Sequence, residues 1–136
     1  MVADFNRWQS LQELEKSDWG EPTYHSSLVR TCHALRRKPL AEFTTEDLRI
    51  MIGQQISLPY LIPLALERLE VEPLVEGRCY PGDLLSAVLK VDRAFWSEHA
   101  GLRQRVDRVI EQLRVALPTL DEIDAETVRQ LLEERL

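Results

Sequence analysis

The residues that could do chemistry in this chain are few, and their spacing does not favour catalysis. The three histidines are His25, His33 and His99. His25 and His33 are too far apart to form the ligand pair of a His-Glu-x-x-His zinc site. Ser26 and Ser27 adjoin His25, but there is no Gly-x-Ser-x-Gly turn to present a nucleophile, and adjacent side chains rarely face each other. Helix capping explains these serines better. Cys32 and Cys79 form no Cys-x-x-Cys pair and fit no metal-site spacing. They are expected to be reduced thiols, Cys32 buried. Gly53-Gln54-Gln55-Ile56 lacks the glycine pattern of a phosphate-binding loop. No catalytic residue, cofactor or metal is expected.

The carboxylates fall into three groups: Glu13, Glu15, Asp18 and Glu21; Glu67, Glu70, Glu72 and Glu76; and Asp121, Glu122, Asp124 and Glu126. Each is expected to be a solvated face. A surface complementary to a basic protein is the second possibility. Arg30, Arg36, Arg37 and Lys38 form a basic cluster without interleaved aromatics, a weak signal for nucleic acid and a good one for a helix C-terminus. Arg49, Gln54 and Gln55 stand within the strongly apolar stretch from Leu48 to Leu69, and Asp83 follows it. Polar groups set among apolar ones need partners. These four are therefore assigned to a structural polar network that keeps helices in register. Trp8, Trp19 and Trp96 are expected in the core.

The elements that must carry these residues are helical. Leu11 and Leu14 are spaced as one helix face. Ser26 or Ser27 caps a helix with Leu28, Val29, Cys32 and Leu35 on one side, and Pro39 stops it. Thr44 caps a third helix carrying Leu48, Met51, Ile52 and Gln55, with Asp47 completing a capping box. Ser57-Leu58-Pro59 starts a fourth helix, apolar nearly all round, and such a helix is central and buried. Glu70 to Tyr80 is expected to be a loop. Pro81-Gly82-Asp83 opens a fifth helix, and Asp92 caps a short turn with Phe95 and Trp96. Leu102, Val106, Val109, Ile110 and Leu113 make an amphipathic stripe that ends at Pro118. A last helix holds Val128, Leu131 and Leu132. No segment alternates with period two, and no hairpin signal occurs. The expected fold is all-α: a single compact domain over residues 1–136, with six to eight helices around a central apolar helix.

The chain has 136 residues, 44% apolar and 29% charged, with a net charge of -6. That balance suits a globular protein, and the acidity disfavours nucleic acid as a partner. Pro59, Pro63 and the two glutamines break the longest apolar run, so neither a membrane span nor a membrane partner is expected. The first residues lack the apolar stretch of a signal peptide, which points to the cytoplasm.

Four ordered motifs add a resemblance. They are Leu35 to Leu40 (Leu-Arg-Arg-Lys-Pro-Leu), Phe43 to Arg49, Ile52 to Leu66 and Tyr80 to Leu85 (Tyr-Pro-Gly-Asp-Leu-Leu). Together with Trp19 and Phe95-Trp96, this series resembles the helical immunity proteins of contact-dependent growth inhibition systems, from about Leu11 to Trp96. The resemblance implies a cytoplasmic protein without chemistry of its own. Its partner would be the toxic C-terminal domain, often a nuclease, of a large exported protein. Nucleases tend to be basic. The acids expected to contact such a toxin are Glu70, Glu72 and Glu76, then Glu13, Glu15 and Asp18. Two alternatives remain: a helical interaction module unrelated to toxins, and an enzyme with an unrecognised site.

Overall fold

The computed structural model describes residues 5–23 and 26–134. It is all-α. Its α-helices are α1 (Leu11–Glu15), α2 (Ser27–Leu35), α3 (Thr45–Gly53), α4 (Leu58–Val71), α5 (Asp83–Leu89), α6 (Arg93–Glu98), α7 (Ala100–Ala116) and α8 (Glu122–Glu134). Short 3-10 turns at Leu40–Glu42 and Leu117–Thr119 join α2 to α3 and α7 to α8.

Capping residues set several of the helix starts. Ser10 and Glu13 form a capping box on α1, and Thr44 and Asp47 form one on α3. Ser26 accepts from the Val29 N–H at the start of α2, and Asp121 Oδ1 accepts from the Asp124 N–H at the start of α8. Lys16 closes α1 in the left-handed region at φ 53°, and the Ser17 N–H reaches back to the Gln12 carbonyl. That pair of features is a Schellman motif.

α4 is the hub. Leu61, Ile62, Ala65, Leu66 and Leu69 are all buried, and the helix packs against α3, α5 and α7. Pro63 lies inside it. Its missing N–H leaves the Pro59 carbonyl without an intrahelical donor. α5 contributes Leu84, Leu85 and Val88 to the same core cluster, and α8 closes over it with Val128 and Leu131. Gly82, at φ 89°, sits beneath α8: a Cβ there would lie 2.9 Å from Leu131 Cδ1.

Four sequence expectations are corrected. α4 runs to Val71, so Glu70 is helical, and the loop begins after it. α3 stops at Gly53, which leaves Gln55 in the α3–α4 junction at φ 56°, with Ser57 also left-handed at φ 53°. Trp96 is buried, but Trp8 is 71% and Trp19 43% exposed. Trp8 precedes α1, and Trp19 lies in the loop after it, where Arg36 and His33 cover only part of its ring. Finally, Arg36 is no solvated helix-end cation; it is 2% exposed.

Candidate partner-binding surface

The acids divide by what their carboxylates already hold. Glu70 receives two hydrogen bonds from Arg105, Nε to Oε2 at 3.0 Å and Nη2 to Oε1 at 2.7 Å. This tie joins α4 to α7, and the guanidinium lowers the Glu70 pKa below its ordinary value. Glu67, one turn earlier, is gripped in the same way by Arg7, which lowers its pKa also. Glu13 closes its capping box. Glu15 pairs with the buried Arg36 guanidinium and accepts from Ser57 Oγ at 3.0 Å. Arg36 in turn donates to the Ser17 carbonyl at 2.8 Å and lies 4.4 Å from the Trp19 ring centroid. One guanidinium thus ties α1, the loop after it, the end of α2 and the start of α4. Asp18 is exposed and accepts from the Gly20 N–H at 2.7 Å.

Glu72 and Glu76 are exposed and lie in the loop that follows α4. Glu72 accepts only from the nearby Leu74 N–H, at 3.0 Å. The loop folds back on itself: the Gly82 N–H donates to the Leu74 carbonyl at 3.0 Å, and Glu76 and Pro81 form an isolated bridge. Its turn is built around two carboxylates. Buried Asp83 accepts from the N–H groups of Gly77 at 2.7 Å, Cys79 at 2.9 Å and Tyr80 at 3.4 Å. Glu46, from α3, accepts from the Arg78 N–H at 2.9 Å. Four consecutive backbone donors therefore point inward, an arrangement that suits anionic groups. Arg49 clamps Glu46 through two hydrogen bonds, at 2.7 and 2.6 Å, and stands 3.8 Å from Asp83. Hydrogen bonding to Arg49 holds the Glu46 pKa below its ordinary value, and Glu46 raises that of Arg49.

Of the four residues assigned to one polar network, the structure brings Arg49 and Asp83 together. Gln54 and Gln55 are exposed at the α3–α4 junction, where Gln55 Oε1 accepts from the Asp92 N–H at 3.0 Å. Glu46 was not singled out from sequence, although it lies three residues before Arg49, the helical spacing for an ion pair. Arg78, exposed at the turn, was not singled out either, and Tyr80, exposed beside it, entered only as the first residue of a family motif.

His33 packs edge-on against Trp19, and His99 stacks on Phe95 with centroids 4.1 Å apart. His25 lies outside the described residues. Cys32 is buried, which raises its pKa, and Cys79 is exposed; both thiols are free. Among the described residues no cluster of three or more histidines, cysteines or acids could hold a metal, and no helix is long and apolar enough to cross a membrane. A cleft of about 350 Å³ has Trp96 in its wall, and its charged lining is balanced: Lys90, Arg93 and Arg103 with Asp92, Asp107 and Glu134.

An all-α core with its polar residues engaged in caps, ion pairs and a carboxylate-centred turn defines a small helical protein with a surface loop held in one shape. The chain belongs to the CDI immunity proteins, whose family model matches residues 13–106. That match covers α2 to α6 and the carboxylate-centred turn. No curated protein and no solved structure matches the chain.

Proposed function

We propose that this protein binds the toxic C-terminal domain of a contact-dependent growth inhibition protein, in the cytoplasm of the cell that makes both, and neutralises it by occupancy rather than by chemistry. The family match over residues 13–106 carries this proposal. Net charge supports a basic toxin, of which a nuclease is the leading example: at -6 the protein attracts a surface built to hold phosphates.

Glu72, Glu76 and Asp18 are the proposed first contacts, because among the described residues none of their carboxylates is in an ion pair that holds the fold. Glu70, Glu13 and Glu15 are proposed contacts with a second duty, in the tie to α7, the cap of α1 and the Arg36 pair respectively. The test is titration calorimetry and stopped-flow mixing with the toxin domain encoded beside this chain. Wild-type protein should bind one to one and protect cells. Glu72→Lys with Glu76→Lys should slow association about tenfold at low salt and much less at high salt. Unchanged association would remove these acids from the interface. A wild-type protein that does not bind the neighbouring toxin would overturn the immunity role.

A further inference from the structure

The exposed turn from Gly77 to Tyr80 carries the features of a rigid recognition element. Its four N–H groups are consumed internally by Asp83 and Glu46. Backbone held this way has little freedom left to lose when a partner docks, which favours affinity. The side chains it displays are of the kinds that dominate interface energetics: an arginine, Arg78, and a tyrosine, Tyr80, which is 45% exposed. Val71, at the end of α4 where the loop departs, adds an apolar side chain that is 85% exposed.

We infer that Arg78 and Tyr80 are the anchor residues for the toxin domain, and that Glu46 and Asp83 are positioning residues that hold the turn ready. This rests on the immunity function proposed above. Glu72 and Glu76 then act as an acidic rim that steers a basic partner, while the turn supplies the buried centre of the interface. The fitting partner surface is basic where it faces Glu72 and Glu76, with an apolar recess for the tyrosine ring and an acceptor group for Arg78 at its centre.

Cys79 provides a direct probe, since it lies between the two anchors and is exposed while Cys32 is buried. With wild-type protein, bound toxin domain should slow maleimide labelling of Cys79 at least tenfold, and labelled protein should fail to bind. Tyr80→Ala and Arg78→Ala should each weaken toxin binding about tenfold or more, mainly through faster dissociation. Gly77→Ala tests the positioning. Its Cβ would lie 2.6 Å from Glu46 Oε1 and 3.1 Å from Asp83 Oδ2. The carboxylates must therefore shift and the turn loosen, while no displayed side chain is removed. Weaker toxin binding is the expected result, with a lowered thermal midpoint but a protein still folded at the assay temperature. The assignment is overturned if wild-type protein binds toxin but Cys79 stays fully reactive in the complex, or if Tyr80→Ala with Arg78→Ala binds as wild type. Absence of wild-type binding would instead count against the immunity role.

Discussion

At the scale of single residues, polar groups that looked alike in sequence have different duties. Arg36 and Arg37 are neighbours, yet Arg36 is buried and Arg37 is exposed with a long contact to Glu21. Burying a guanidinium demands partners: Glu15, Ser17 and Ser57 supply them to its two terminal nitrogens and the Trp19 face covers it, while Nε is buried with no partner among the described residues. Arg36→Met, which keeps much of the stem, should destabilise the fold by about 1–3 kcal/mol, because Glu15 can partly rehydrate. Urea denaturation followed by tryptophan fluorescence checks it. Glu46 makes the second prediction. Its folded pKa lies below the ordinary value through Arg49, with Arg78 and its N–H also contributing. Such a carboxylate adds stability that is fully present above its unfolded pKa and is lost as pH falls through the folded value. Stability should therefore drop below about pH 4, and Glu46→Gln should flatten that decline. Glu67 and Glu70 share the same direction of shift, so the decline should shrink rather than vanish. Arg36 and Glu46 were hidden in the sequence for one reason. Arg36 meets Glu15 from 21 residues away and Glu46 meets the Arg78 N–H from 32, and no local pattern marks either contact; only the Glu46–Arg49 pair has a local signal.

Helices were more legible, because their signals are local. Ser26, Thr44 and Pro59 mark starts that can be read directly, and the stripe from Leu102 to Leu113 is buried as its spacing requires. Ends were harder. Glu70 and Val71 extend α4 past the expected boundary because Leu69 is buried and Arg105 holds Glu70, two tertiary effects. The break at Gly53 was masked by the apolar residues on both sides, which continue a helical rhythm that the backbone abandons. One prediction belongs to a helix end. Lys16 holds a left-handed conformation that disfavours a side chain, and among the described residues its ammonium makes no hydrogen bond or ion pair. Lys16→Gly should raise stability by about 1 kcal/mol, measured as a shift in the urea midpoint. Gln55, left-handed as well, offers no such gain, since its amide also caps the Asp92 N–H.

For the whole molecule, the all-α architecture followed from periodicity, and the family from four motifs in order. Many motif residues proved to be interior ones that report the scaffold, such as Leu61, Leu66, Asp83 and Leu84, with Tyr80 an exposed exception. The carboxylate-centred turn was only half visible: Tyr-Pro-Gly-Asp marked its end, but Glu46 approaches from another helix. The family model stops at residue 106, whereas the buried core continues through Val109, Ile110, Leu113, Val128 and Leu131. α8 lies against Gly82 and reaches Ser86 through Glu134, whose Oε2 accepts at 2.8 Å. A boundary of sequence similarity is therefore not a boundary of autonomous folding. Ending the chain at residue 116 should uncover the α5 face around Leu84, Leu85 and Val88, and the shortened protein should bind a hydrophobic dye and lose its sharp thermal transition. α8 is thus the roof of the turn on which α5 begins, and whatever that turn recognises depends on a helix that lies outside the family's own motifs.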